Sequence, residues 1–171
     1  YYVDGLRVTD AESLALVEMV LCGTVNKRLV RYLLAANVDA QGMSGVDRGL
    51  VKAAQMQHQS VDMQYTGTVV KVRESVIFDM LEKQITPVIA PVSVGEMSNF
   101  NLNADPVTGA IAKAMSADKV IFISNVEGVL VDGQLVNKIT ADEAEALIQD
   151  GTIYGGMIPK VRTALEVLES G

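Results

Sequence analysis

A chain of 171 residues is long enough for one domain with a substantial core, and 49% hydrophobic residues with no tryptophan make that core aliphatic. A net charge of −7 with no compensating basic run excludes a reader of nucleic-acid phosphates, and a single cysteine and a single histidine exclude a disulfide and a His/Cys metal cluster. No apolar run approaches the roughly 20 residues that cross a bilayer, and the lone Cys22 fits a reducing compartment.

Taken in order, Tyr1 to Val8 predicts a tight hairpin around Asp4-Gly5. No initiator methionine precedes it and the last predicted helix runs to Ser170-Gly171, so the expectation is the middle of a longer protein. Thr9-Asp10-Ala11-Glu12 has capping-box spacing, opening a long helix from Asp10 to about Ala36. Leu16, Val17, Val20, Leu21, Val25, Leu29, Val30 and Leu33 make it apolar over more than one stripe. Such a helix packs on its own sheet and on a partner, or else lies wholly inside and breaks at Gly23. Lys27, Arg28 and Arg31 read as its solvated face.

Asp39–Met43 predicts a weak strand, Ser44–Gly49 a glycine-rich turn, and Leu50–Met56 another strand. His58 lies in a polar loop that gives it no catalytic context. Gly67–Val72 is strand-like, Glu74–Lys83 helical, and Thr86–Val92 a nearly continuous apolar strand of the parallel-sheet type. Asn99 to Ala110 then compresses a strand end, a capping residue at Asp105 and a first-turn proline at Pro106, with Val107, Ala110, Ile111, Ala114 and Met115 at helical spacing behind. Polar groups converging where a strand gives way to a helix suit a ligand in an open α/β sheet, although caps and turns alone use the same residues. Lys119–Ser124 predicts a further buried strand, Val129–Val136 a hairpin around Asp132-Gly133, and Thr140-Ala141-Asp142-Glu143 a second capping box. Gly155-Gly156-Met157-Ile158-Pro159-Lys160 puts an ammonium in the first turn of the last helix. A cation there opposes the helix dipole, so the residue is either a tolerated surface lysine or part of an anion site. Arg7, just past its hairpin turn, could grip a carboxylate with its planar fork or simply face solvent. No phosphate-loop signature, dinucleotide fingerprint or catalytic triad occurs. The alternation of strands and helices predicts a single α/β domain over residues 1–171, an α/β sandwich decorated by small hairpins.

Seven stretches carry a resemblance: Asp4-Gly5-Leu6-Arg7-Val8-Thr9-Asp10, Val25-Asn26-Lys27, Ser44-Gly45-x-Asp47, Pro87–Pro91, Asn101-x-Asn103-Ala104-Asp105, Asn125-Val126-x-Gly128-Val129-Leu130 and Gly155–Val161. In their order and approximate spacing the chain resembles the N-acetyl-L-glutamate kinases of the amino acid kinase family over essentially its whole length. The resemblance implies a three-layer αβα sandwich with a mainly parallel central sheet. It implies cytoplasmic arginine biosynthesis, phosphorylation of the side-chain carboxylate of N-acetyl-L-glutamate by ATP, and Mg2+ held mainly by the nucleotide phosphates rather than by a protein metal site. Arg7 would bind the substrate α-carboxylate and Asn101 would help hold the same molecule. Lys160 would neutralise charge on the transferring phosphoryl group, and Asp105 would orient it. Asn125, Val126, Glu127, Gly128, Val129 and Leu130, with Thr152, Ile153 and Tyr154, would line the nucleotide site. The long helix 10–36 would form a homodimer, with no nucleic-acid or membrane partner. The family's amino-terminal lysine and glycine-rich turns and its carboxy-terminal nucleotide segment have no counterpart in this chain, and Asn125 stands where these kinases usually have Asp. A related kinase of carrier-linked aminoadipate resembles the chain around Cys22-Gly23 and Ser124-Asn125, and a non-catalytic binding or dimerisation module of the same fold is the third reading.

Overall fold

The computed structural model describes residues 1–3, 6–125, 127–131 and 133–168. Its framework is a five-stranded mixed sheet built from β3 (Ala40–Gly45), β4 (Val51–Gln55), β5 (Gly67–Val72), β6 (Thr86–Val94) and β7 (Asn99–Asn101). β3 and β4 run parallel to β6, while β5 pairs antiparallel with β4 and β7 antiparallel with β6. The Thr86 N–H donates to the Asp39 carbonyl at 2.8 Å, so even-numbered residues of β6 point their N–H groups at β3 up to Ala90, where the register shifts. Pro87 therefore turns its missing donor away from that ladder, which is why the strand tolerates it there.

One face of the sheet is covered by a continuous helical run: α1 (Ala11–Val17), a π-helical segment (Glu18–Val25) and α2 (Asn26–Ala35). The run passes through Gly23 without a break. Asn26 is buried and staples the run to the sheet, its Nδ2 donating to Met43 O at 3.1 Å and Val88 O at 2.8 Å. Gly42 is required for this approach, since a Cβ there would lie 1.9 Å from Asn26 Oδ1. The helices α3 (Ser75–Leu81) and α4 (Ala104–Ala114) supply Val76, Ile77, Met80 and Val107 to a core completed by Leu50, Val51 and Leu102. Beyond it lie α5 (Ala141–Gln149) and α6 (Met157–Leu168). Two small hairpins form as expected, β1 (Tyr2–Val3) with β2 (Leu6–Arg7) and β8 (Leu130–Val131) with β9 (Gln134–Leu135). The turn residues Asp4, Gly5 and Asp132 lie outside the described residues.

Four local expectations are corrected. The first helix is capped by Asp10, whose carboxylate accepts from Ser13 N at 2.7 Å, and not by Thr9, which joins an extended ladder instead. The Ser44-Gly45 pair ends β3, so the turn begins later, at the short 3-10 segment Asp47–Gly49. The α4 cap is Asn103, so Asp105 and Pro106 sit inside the first turn. Lys119–Ser124 forms no strand. None of the described strands pairs with it, although Pro87, Ile89 and Pro91 of β6 line a common cavity with Lys119, Val120 and Ile121, and Ile121 and Ile123 are 76% and 90% exposed. The second capping box holds: Thr140 and Glu143 exchange side-chain and backbone bonds at the start of α5.

Candidate active site

The strand-to-helix turn from β7 into α4 carries two polar constellations four residues apart. At its helical end, Asn103 Oδ1 accepts from Asp105 N at 3.1 Å. Because the asparagine does the capping, the Asp105 carboxylate is free to face outward from the first turn, where the helix dipole favours a negative charge. Both of its oxygens accept from Lys160 Nζ, each at 2.9 Å, with side chains 18% and 26% exposed. Lys160 is the fourth residue of α6, where the dipole disfavours a cation, so each charge answers the other helix. The two helices approach closely enough for this through Gly109 and Thr163, one turn further along each. A Cβ at Gly109 would lie 2.5 Å from Thr163 Cγ2, which only glycine avoids. The ammonium also lies 6.0 Å from the Phe122 ring centroid, at the edge of cation–π reach.

Lys160 opens onto a cavity of about 490 Å³, also lined by Ser124, Asn125, Gly128, Val129, Leu130, Thr152, Ile153, Tyr154, Gly155, Gly156 and Met157. That volume is within the range of small-molecule and cofactor sites. Seven of the nine residues expected at a nucleotide site thus meet here. Glu127 is exposed and is not among the lining residues, and Val126 lies outside the described residues. Asp150 Oδ1 accepts from Thr152 N at 2.8 Å, and Ile153 N donates to Leu147 O at 2.8 Å, which hold the loop after α5 in place. Ser124 and Met157 were not anticipated; they follow from their neighbours Asn125 and Gly156. The chemistry of this lining, a glycine loop with backbone donors and one lysine, suits a polyphosphate. Among the described residues, no group of three or more His, Cys, Asp or Glu side chains could hold a metal ion.

At the strand end of the same turn, Asn101 Nδ2 donates to Thr9 Oγ1 at 3.0 Å. Thr9 N donates to Thr66 Oγ1 at 2.9 Å, the two hydroxyls lie 3.3 Å apart, and Thr66 Oγ1 donates to the Arg7 carbonyl at 2.7 Å. The backbone runs in parallel, with Tyr65 N donating to Thr9 O and Asn101 N to Tyr65 O. Arg7 and Asn101, distant in sequence, are thereby fastened to one small ladder. The Arg7 guanidinium is exposed, stacked 4.9 Å from the centroid of Tyr2 and hydrogen-bonded to its hydroxyl. Thr66 carries no signal in the sequence, and Thr9 stands out there only as a cap candidate and as part of the Asp4–Asp10 stretch. A third link, Asn99 Nδ2 to Glu18 Oε1 at 2.8 Å, ties β7 to the π-helical segment. Cys22 in that segment has its thiol pushed above the usual range by burial, with Glu18 and Asp47 adding to the effect, which disfavours the thiolate.

Comparison with known proteins places this geometry. Residues 2–171 match the amino acid kinase family. The acetylglutamate kinase of Roseiflexus castenholzii is 49% identical over 170 residues, covering 99% of this chain and 66% of that protein. The chain therefore spans about two thirds of the length of the curated relatives it matches. The crystal structure of smu.665 from Streptococcus mutans UA159 superposes with a TM-score of 0.91 at 32% identity, over 100% of this chain and 69% of the other. The N-acetylglutamate synthase of Neisseria gonorrhoeae shares the fold at a TM-score of 0.86 and 23% identity, with 39% of its chain covered. With the family model matching residues 2–171, the chain belongs to the amino acid kinase family.

Proposed function

We propose that the protein to which this chain belongs is an acetylglutamate kinase, transferring the γ-phosphoryl group of ATP to the side-chain carboxylate of N-acetyl-L-glutamate. The observation that carries this reading is the Lys160–Asp105 pair at the mouth of the 490 Å³ cavity. The similarity to acetylglutamate kinases over 99% of the chain supports the choice of substrate. An ionised carboxylate meeting a phosphate needs no base, since it has no proton to lose. What the reaction needs is cations and N–H donors placed where charge gathers.

In this reading the nucleotide enters the cavity lined by Asn125 and Leu130 on one side and Thr152 to Tyr154 on the other, its phosphates toward Gly155, Gly156 and Lys160. Mg2+, bound mainly by those phosphates, supplies additional charge neutralisation. Arg7 swings its fork from Tyr2 onto the substrate α-carboxylate, and Asn101 fixes the same molecule. A side-chain carboxylate oxygen attacks the γ-phosphorus; the bond to the bridging oxygen breaks, and ADP leaves with that electron pair. Lys160 meets the charge growing on the transferring group, and Asp105 holds the ammonium at the correct height without taking a proton. The product is an acyl phosphate, an activated intermediate fit for arginine biosynthesis in the cytoplasm.

The same reading includes a homodimer through the helical run from Ala11 to Ala35, whose outer face leaves Leu16, Met19, Val20, Leu29, Tyr32 and Leu34 exposed. A run of that size on a monomer marks an interaction surface. Sedimentation is expected to give a dimer that Leu16→Glu converts to monomer; a monomer at high concentration, unaffected by the substitution, overturns it. Substrate identity is tested by trapping acyl phosphate with hydroxylamine, offering the full-length protein N-acetylglutamate beside free and carrier-linked aminoadipate. Hydroxamate is expected from N-acetylglutamate. Product only from the carrier-linked substrate would move the assignment to the aminoadipate kinase, and no product from any would favour a binding module.

A further inference from the structure

The ladder joining Arg7, Thr66, Thr9 and Asn101 has a direction, and the direction decides which face Asn101 offers. The Arg7 carbonyl can only accept, and it lies 2.7 Å from Thr66 Oγ1. Thr66 has one hydroxyl proton, which this short contact uses. Toward Thr9 it therefore acts as an acceptor, for the Thr9 N–H at 2.9 Å and for the Thr9 hydroxyl at 3.3 Å. Asn101 Nδ2 donates to the Thr9 oxygen at 3.0 Å, which leaves the Thr9 hydroxyl proton for Thr66. Thr9 is 0% exposed and Thr66 5%, so water cannot exchange these roles, and a buried donor left without its acceptor is costly.

We propose that Thr9 is a positioning residue for substrate recognition: fixed by Thr66, its hydroxyl locks the Asn101 amide so that Oδ1 faces the site as an acceptor. The inference rests on the reading of Arg7 and Asn101 as the N-acetylglutamate subsite, and it deepens that reading. An acceptor beside the fork of Arg7 matches a ligand whose α-carbon bears both a carboxylate and an acylated N–H. An α-hydroxy ester of the same shape offers no donor there. Thr9 itself, being fully buried, touches no substrate; it acts through Asn101.

Two measurements test this on the full-length protein. The first uses the unmutated protein and no substrate: hydrogen exchange of the Asn101 side-chain amide, with its signal assigned by loss in Asn101→Asp. One Nδ2 proton is expected to exchange at least about tenfold more slowly than in free asparagine, the scale of a buried hydrogen bond. Exchange at the free rate overturns the proposal, even if the assigned activity is correct. The second is kinetic. Thr9→Val is expected to raise the KM for N-acetylglutamate about tenfold with the KM for ATP within twofold, and to narrow the preference over the 2-acetoxy analogue that lacks the N–H. Thr9→Ser, which keeps the hydroxyl, is expected to restore both. Equal losses toward both substrates, or failure of serine where valine also fails, would assign Thr9 a merely structural role. Should the unmutated protein not phosphorylate N-acetylglutamate at all, the functional reading fails, and the exchange measurement still decides whether Thr9 holds Asn101.

Discussion

Removing Lys160 separates stability from catalysis, and the structure sets the size of each effect. The ammonium is 2.9 Å from both Asp105 oxygens, so the gross attraction is about 6 kcal/mol at an effective dielectric near 20. With side chains 26% and 18% exposed, desolvation and side-chain ordering offset most of it, leaving a net contribution of about 1 kcal/mol. Against this, a lysine in the first turn of α6 opposes the helix dipole by about 0.3–1 kcal/mol. Lys160→Ala is therefore nearly neutral, shifting Tm by less than about 3 °C. Asp105→Ala is not its mirror image. It removes the pair and loses a carboxylate that the α4 dipole favours, a total of about 1.3–2 kcal/mol.

The kinetic effect runs in the opposite order of size. An ammonium aimed at developing charge contributes about 3–4 kcal/mol, so Lys160→Ala lowers kcat a hundred- to thousand-fold with little change in either KM. Lys160→Arg rescues poorly, because a planar fork does not replace a compact charge between two helix starts. The assays are differential scanning calorimetry and steady-state ADP release on the full-length protein. Near-normal kcat in Lys160→Ala would refute the catalytic role. A larger loss of Tm in Lys160→Ala than in Asp105→Ala would refute the helix-dipole reasoning.

Three further outcomes follow from the same geometry. Gly109→Ala forces a Cβ to within 2.5 Å of Thr163 Cγ2, which costs about 1–3 kcal/mol by overpacking despite the better helix propensity, and lowers kcat by moving Lys160; Thr163→Ser, which deletes that methyl, is expected to restore Tm and kcat together. Arg7→Ala raises the KM for N-acetylglutamate while leaving kcat within a few-fold, since the α-carboxylate keeps its charge through the reaction; a loss confined to kcat contradicts the assignment. Backbone N–H donors from Ser13, Thr140 and Thr152 hold the carboxyls of Asp10, Glu143 and Asp150 below their usual range. Ionisation is thus favoured in the folded state, and the stability these groups contribute is present above the unfolded carboxylate range and lost as pH falls through their lower folded values. Tm is expected to fall below about pH 4, and Asp10→Asn, which still caps but does not titrate, is expected to flatten part of that fall.

What could be read from residues alone was local. β5 and β6 announced themselves by composition, the two hairpins by their turns, and α5 by a capping box whose bonds all lie within four residues. The α4 cap was misplaced for a physical reason. Asn103 and Asp105 are equally good caps by type, and the choice is made by Lys160, 55 residues away, which claims the aspartate. Lys119–Ser124 misled because an apolar run describes only half of a strand; the other half is a neighbour to pair with. For the candidate site, glycine spacing located the loop before Lys160, and the family resemblance located Arg7, Asn101 and the cavity lining. Thr66 stayed hidden. A threonine next to a strand carries no local mark, and its meaning comes from Arg7 and Thr9, 59 and 57 residues away.

The central claim is that a carboxylate is phosphorylated here with charge supplied by Lys160. The most direct measurement is 31P NMR of the full-length protein turning over MgATP with N-acetyl-L-glutamate. The account predicts an acyl-phosphate resonance growing in step with ADP, greatly slowed in Lys160→Ala. ADP accompanied only by inorganic phosphate from the outset, or an acyl phosphate formed equally fast by the alanine variant, would contradict it.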